Sequence, residues 1–390
     1  MIKRNILECM TLVGKAPSHY EGAKTYVSTG AVDCDHIDYK QTEQVTYDNR
    51  PSRANLSVTS GDILFAKMCG TKKTLRINDV MAKYLFSTGF CAVRANESVM
   101  IADLLYHLLS SEQFLTQKDQ NSSGATQKAI TNTGLKKITI QVPDLEEQRV
   151  LAAKLDCIEQ MMAKRRIQIE YFDQLVKSRF IEMFGDPMTN PYNLPKVILG
   201  SVLTIEPQNG LYKPQFDYVS DGTGVPILRI DSFYEGKVSN LSSLKRLICS
   251  EIELKRYSLY ENDIVINRVN SIEYLGKCGL IQGLVENTVF ESNMMRLHVD
   301  EHKFHPVYIT KLLCSEFIYQ QILRRAKKAV NQASINQKDV QSFVVYMPPI
   351  EQQDQFAAFV KQTDKSKLAI QESLKRLEIL KKSLMQKYFG

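Results

Sequence analysis

The sequence predicts an α+β protein built twice over: a domain of mixed α/β character, one long helix, then both again. Three observations predict it. An ungapped self-match lies 205 residues downstream of its first copy, a heptad-spaced apolar seam runs through that copy, and short apolar runs bounded by turn residues precede each copy.

Pro143-Asp144-Leu145-Glu146-Glu147-Gln148 answers to Pro348-Pro349-Ile350-Glu351-Gln352-Gln353, and Leu175-Val176-Lys177-Ser178 to Leu380-Lys381-Lys382-Ser383. Across 124–185 and 329–390, twelve of sixty-two positions are identical, where chance gives roughly four. Upstream the offset drifts, to 201 between 61–67 and 262–268 and to 204 between 108–112 and 312–316. The backs of the two copies therefore share a structural job, and the fronts differ in theirs.

Each back reads as a helix. Residues 146–184 contain no Gly or Pro, and Leu151, Leu155, Ile158, Met162, Arg165, Ile169, Phe172 and Val176 step by four and three, a heptad seam with one basic interruption. Gly185-Asp186-Pro187 stops it. In the second copy, 351–389, the stripe is Phe356, Val360, Ile370, Leu374, Leu377 and Leu384, weakened at Thr363 and Lys367. Thirty-nine residues make a helix of about 58 Å. A helix with one apolar stripe needs a partner. Its own repeat, paired antiparallel about a pseudo-twofold axis, is the simplest; packing of each helix on its own front domain is the alternative. In the fronts, 62–66, 90–93, 137–142, 196–203, 225–230, 263–267 and 294–299 read as strands, and 102–109 and 307–322 as helices.

Apolar residues make up 44% and charged residues 24%, ordinary for a globular protein, and no apolar run approaches a membrane span. A signal peptide is not expected, because Glu8 interrupts the only candidate stretch. The eight cysteines form no CxxC pair, so reduced thiols and a cytoplasmic setting are expected. A net charge of +7 is compatible with nucleic acid without establishing it.

The chain resembles the specificity subunit of type I restriction–modification systems. The resemblance spans essentially the whole length and rests on an ordered set of strings. These are Gln127-Lys128 before Ile130, Leu135-Lys136-Lys137-Ile138, Val142-Pro143 running into Leu145-Glu146-Glu147-Gln148, and the junction Met183-Phe184-Gly185-Asp186-Pro187-Met188-Thr189-Asn190-Pro191 leading to Lys196-Val197-Ile198-Leu199-Gly200. It implies a target recognition domain over 1–143, a conserved helix and junction over 144–190, a second recognition domain over 191–348 and a second conserved helix over 349–390. It implies further that each domain reads one half of a split site on double-stranded DNA, and that the helices form an antiparallel coiled coil setting the spacing. Methyltransferase subunits, two of them, would dock there and bring S-adenosylmethionine, with restriction/translocase subunits added. The chain itself would hold no cofactor, no metal and no catalytic residue. One departure stands out: no counterpart of 196–202 is legible in the first thirty residues.

The residues bear on this independently. DNA reading calls for cations at phosphates and for amides or guanidinium groups at base edges. The first copy offers Lys67, Lys72, Lys73, Arg76, Thr126, Gln127 and Lys128; the second offers Arg268, Asn270, Lys277, Arg324, Arg325, Lys327, Lys328, Asn331 and Gln332. Gln127 and Gln332 are matched by the repeat. The plain alternative for 324–328 is a solvated helix end. A helix of about 58 Å corresponds to roughly seventeen base pairs, a scale suited to two groove visits on one duplex. There is no glycine-rich cofactor loop, no Walker lysine and no zincin string. Asn190-Pro191-Tyr192 lacks the second Pro of an adenine-methylase motif, and His298, His302 and His305 straddle a strand end and Pro306. The competing function is a duplicated adaptor that binds only protein.

Overall fold

The computed structural model describes residues 1–125, 127–238, 241–330 and 332–389. It divides into two compact units, Met1–Ile167 with Ile370–Gly390, and Gln168–Ala369. Both long helices, Leu145–Phe184 and Ile350–Phe389, begin one residue earlier than the sequence indicates. Each contributes to both units.

In the first unit a four-stranded sheet runs in the order Met10–Val13, Phe90–Ala95, Ile63–Ala66, Thr74–Arg76. A second runs Glu43–Val45, Lys24–Val27, Leu85–Ser87, Ala54–Leu56. Helices Ala102–Leu109 and Glu112–Gln120 cover the other face of the first sheet. The strand Ile63–Ala66 shows why its sequence is apolar throughout. Side chains alternate across a sheet, so Ile63 and Phe65 enter the core with Leu104, Leu105 and Phe114, while Leu64 and Ala66 enter the core with Val27 and Phe86. The second unit repeats the arrangement. Ile264 and Ile266 face the helical side and Val265 the opposite core, within a six-stranded sheet whose centre is Ile264–Asn267 beside Cys278–Leu280.

The counterpart of 196–202 that the sequence hides is present at the N-terminus. Strand Ile2–Asn5 pairs antiparallel with Thr139–Val142, as Lys196–Ile198 pairs with Val344–Tyr346. The register is shared: the Ile6 N–H donates to the Ile138 carbonyl at 3.1 Å and the Leu199 N–H to the Phe343 carbonyl at 2.8 Å. Both segments then turn into one short helical stretch, Ile6–Cys9 and Leu199–Val202. What is kept is a fully buried apolar residue at one place, Ile6 or Leu199; the remaining side chains vary, so the match is invisible to letter comparison.

Three expectations are corrected. Residues 196–203 are not one strand, since the strand ends at Ile198. Residues 307–322 are not one helix but two, Pro306–Leu313 and Glu316–Arg325, with Ser315 at the N-cap position of the second, its hydroxyl donating back to the Leu312 carbonyl at 2.6 Å. The first unit breaks at the matching place, where the Ser111 hydroxyl accepts from the Phe114 N–H at 3.1 Å. A serine that caps is worth more at a helix start than in its interior. The helix end at 324–328 is likewise only half helix: Lys327–Lys328 is a strand.

On the long helices, Leu151, Leu155, Ile158, Met162 and Val176 are buried, whereas Arg165, Ile169 and Phe172 are half-buried. Phe356 and Val360 are buried; Ile370, Leu374, Leu377 and Leu384 are half-buried. In the first unit Leu151 and Leu155 share a core with Met385 and Phe389, and Lys381 meets Glu159 at 2.6 Å. In the second, Phe180 and Phe184 each set their rings edge-on to Phe356, at 5.5 Å, and Lys367 grips both oxygens of Asp173 at 2.6 Å. Thr363, a weak position by sequence, is buried and returns its hydroxyl to the Phe359 carbonyl at 2.9 Å. No described helix is long and apolar enough to cross a membrane.

Candidate nucleic-acid interface

Each unit projects a short hairpin after its second domain helix. Ser122–Ser123 pairs with Ala129–Ile130, and Lys327–Lys328 pairs with Ala333–Ser334. The hairpins are strapped to the exit of the central strand in the same way. The Ile130 N–H donates to the Lys67 carbonyl at 2.9 Å, and the Ile335 N–H to the Arg268 carbonyl at 3.0 Å. Val269–Asn270 also pairs with Ala333–Ser334, making a three-stranded ribbon in the second unit. Gly124 is required at the first tip: its φ is +141°, and a Cβ there would meet the Gln127 carbonyl oxygen at 2.3 Å.

This geometry gathers some candidates and disperses others. Gln127 and Lys128 sit exposed at the first tip; Lys327, Lys328 and Gln332 sit exposed at the second. Lys67 and Lys72 on the strapped strand exit, and Arg324 at the end of Glu316–Arg325, carry no side-chain hydrogen bond or ion pair among the described residues. Thr126 and Asn331 lie outside the described residues. Others are engaged internally. Lys73 donates to the Thr29 carbonyl at 2.8 Å, Arg268 to the Ser292 carbonyl at 3.0 Å, and Arg325 to the Ser342 hydroxyl at 2.8 Å and the Gln321 carbonyl at 2.9 Å. The Asn270 side-chain oxygen accepts from the Ser271 N–H at 2.8 Å. Lys277 lies over the rings of Tyr234 and Tyr274, at 3.9 and 3.8 Å from their centroids.

Arg76 belongs to a different constellation. Its guanidinium contacts Asp103 at 3.0 Å and Asp156 at 2.6 Å and covers the Tyr106 ring. Fully buried His107 stands between Asp156, at 2.9 Å, and Glu159, at 3.5 Å. Donor atoms of His107, Asp156 and Glu159 lie within 4.8 Å of one another, a spacing a metal ion would accept. Arg76 and Lys381 already neutralise the two carboxylates, and a divalent cation would have to displace both. The set is an ion network that ties the helix Ala102–Leu109 to the long helices. Of the three histidines near 300, His298 pairs with Asp263 at 2.9 Å, and the His305 ring accepts from the Val307 N–H at 3.1 Å, capping a helix.

Several positioning residues escape a reading by sequence. Lys118 is fully buried and donates to the carbonyls of Ala66, Met68 and Thr71 at 3.3, 2.8 and 2.9 Å. Burial lowers its pKa, partly opposed by Asp119. It thereby fixes the loop that carries Lys67 and Lys72. Gln117 clamps Thr139 through both N–H and C=O, and Gln321 clamps Val344 identically. The only signal for the two glutamines was their recurrence 204 residues apart, which no repeat string includes, and Lys118, answered by Ile322, had none.

The comparisons with known proteins fit this duplicated plan. The family model for the type I restriction modification DNA specificity domain matches twice, over residues 21–171 and 194–381. The type I restriction enzyme EcoKI specificity subunit of Escherichia coli (strain K12) is 28% identical over 319 residues, covering 77% of this chain and 67% of that protein. The putative type I restriction enzyme MjaX specificity subunit of Methanocaldococcus jannaschii is 30% identical over 185 residues, covering 47% of this chain and 42% of that protein. In fold, the chain resembles the type I restriction–modification system S subunit from M. genitalium, with a TM-score of 0.57 at 14% identity over 100% of this chain and 96% of that one. A chain solved in work on complex assembly and conformational transition of the type I R-M system gives 0.56 at 20% identity, over 99% and 97%. Two family matches, one on each half of an internally repeated chain, fix the assignment: this protein belongs to the type I restriction modification DNA specificity family, as a non-catalytic specificity subunit with two recognition domains.

Proposed function

We propose that each unit reads one half of a bipartite site on double-stranded DNA, through its strapped hairpin and the adjoining strand exit. The observation that carries this is the recurrence of one device with different side chains: Gln127 and Lys128 over Lys67 in the first unit, Lys327, Lys328 and Gln332 over Arg268 in the second. Exposed cations suit phosphates, and the amides suit adenine edges. The two long helices act as an antiparallel coiled coil that sets the separation of the half-sites. Supporting that reading, the start of the first helix meets the end of the second in one unit, and the reverse holds in the other. Two methyltransferase subunits dock on this frame and bring S-adenosylmethionine, and restriction subunits join them. Lys73, Arg76, Lys277 and Arg325 have internal partners and are assigned to the frame; Arg268, whose guanidinium is likewise held by the Ser292 carbonyl, enters the device through the backbone carbonyl that straps Ile335.

The test is binding of the assembled methyltransferase complex to its methylated genomic motif at 50 to 200 mM salt. Affinity should fall steeply with salt, and Lys128→Ala or Lys328→Ala should each reduce the log–log slope by about one. A salt-insensitive interaction, or variants with an unchanged slope, would favour a protein-only adaptor.

A further inference from the structure

The second unit contains a pair of cysteines that DNA reading does not use. Cys278 begins the strand Cys278–Leu280 inside the six-stranded sheet and is buried. Cys314 follows the last turn of the helix Pro306–Leu313 as its C-cap; the residue is open to solvent, while its sulfur is packed against Cys278 and the Gly236 backbone. Their sulfurs lie 3.2 Å apart. A disulfide bond measures about 2.05 Å, so the sulfurs need to close by about 1 Å. Among the described residues, no other two cysteines are in such contact.

The surroundings differentiate the two thiols. Gly236, at φ +85°, lets the backbone pass so close that a Cβ there would lie 3.5 Å from the Cys314 sulfur and 3.7 Å from the Lys311 ammonium. That ammonium donates to the Glu235 carbonyl at 2.9 Å. The hydrogen bond from Cys278 lowers the Cys314 pKa, burial opposes it, and the charge of Lys311 adds to the lowering. The same contact and burial push Cys278 well above an ordinary thiol. The lowering at Cys314, beside the Lys311 ammonium, makes its thiol the readier nucleophile and leaves Cys278 as the resolving partner.

We propose that Cys278 and Cys314 form an oxidisable dithiol, which peroxides convert to an intramolecular disulfide joining the sheet to the helix Pro306–Leu313. The Cys314 thiolate attacks one oxygen of hydrogen peroxide, the O–O bond breaks, and hydroxide leaves, giving a sulfenic acid. The Cys278 sulfur, giving up its proton, then attacks the Cys314 sulfur and the S–O bond breaks; that proton and the hydroxyl leave as water. The pair is oxidised by two electrons, and the proton balance leaves peroxide as two waters.

The test is mild hydrogen peroxide treatment of the full chain in its methyltransferase complex, then unfolding, alkylation and mass spectrometry. Six of the eight cysteines should alkylate, the mass of the unlabelled chain should fall by about two daltons, and one linked peptide should contain Cys278 and Cys314. Dithiothreitol should restore all eight. Cys278→Ser should stop at a sulfenic acid on Cys314 that dimedone traps; Cys314→Ala, at the exposed position, should abolish the link while the far-ultraviolet spectrum stays native. Eight alkylated cysteines after treatment would overturn the proposal. So would separate sulfinic acids on the two residues with no linked peptide.

Discussion

A glutamine amide carries two donors and an acceptor, and at positions 148 and 353 all three are used in the same way. The Gln148 amide donates to the carbonyls of Val99 and Pro143, at 2.8 and 2.9 Å, and accepts from the Ile101 N–H at 2.9 Å. Gln353 donates to Lys303 and Pro348, at 3.0 and 2.8 Å, and accepts from the His305 N–H at 2.9 Å. Each is fully buried and pins the start of a long helix to the N-cap of a domain helix, Ala102–Leu109 in the first unit and Pro306–Leu313 in the second. Gln148→Leu keeps the volume and strands two carbonyls and an N–H in the interior. It should destabilise the first unit by about 2–3 kcal/mol, and Gln353→Leu should do the same to the second. Urea denaturation followed by hydrogen exchange of each unit reads the effect; wild-type midpoints for both variants would refute the role.

At the scale of the elements, the long helices are held by polar contacts that a heptad count treats as defects. Lys367 interrupts the second stripe, yet it closes on Asp173; Lys381 does the same for Glu159. Burial by itself would raise the pKa of Glu159, but the His107 imidazole 3.5 Å away and the Lys381 ammonium outweigh it and hold the carboxyl at about 2, against 4.5 for a free glutamate. A carboxylate depressed in the folded state contributes stability that is complete above about 4.5 and is lost as pH falls toward 2. The wild-type chain should therefore lose stability between pH 5 and 3 more steeply than Glu159→Gln does, measured as urea midpoints by circular dichroism. Parallel pH profiles would show that the network contributes nothing in that window.

For the whole molecule, the consequence of splitting each long helix between two units is that neither half of the sequence is self-sufficient. A chain ending at Gly185 lacks Met385 and Phe389, which belong to the core that also contains Leu151 and Leu155. It also lacks the Lys381 partner of Glu159. The exposed stripe should be covered by a second copy, so the truncated chain should run as a dimer by light scattering. With methyltransferase it should mark a symmetric site. A stable monomer, or an unchanged asymmetric methylation pattern, would contradict this.

Periodicity and repetition, read from the letters, determined the duplicated α+β plan and the two long helices to within a residue, and an ordered set of strings carried the resemblance to the family. Those features depend on local pattern: an apolar stripe of fixed period, and strings kept because both copies need them. The helix break before Ser315, the N-terminal strand opposite Thr139–Val142 and the buried Lys118 were not legible in the same way. Each depends on which distant backbone groups come to lie opposite a side chain, and one buried apolar residue or one satisfied carbonyl leaves no pattern in the chain. The same holds for the candidate site. Recurrence marked Gln127 and Gln332, and they do sit on matching hairpins; only the fold separated them from Arg76, Lys277 and Arg325, whose charges are already met by carboxylates, aromatic faces and carbonyls. Sequence supplies the kinds of group available. Tertiary structure decides which of them are left facing outward, because a cation whose donors are committed inside the protein must give those contacts up before it can meet a partner.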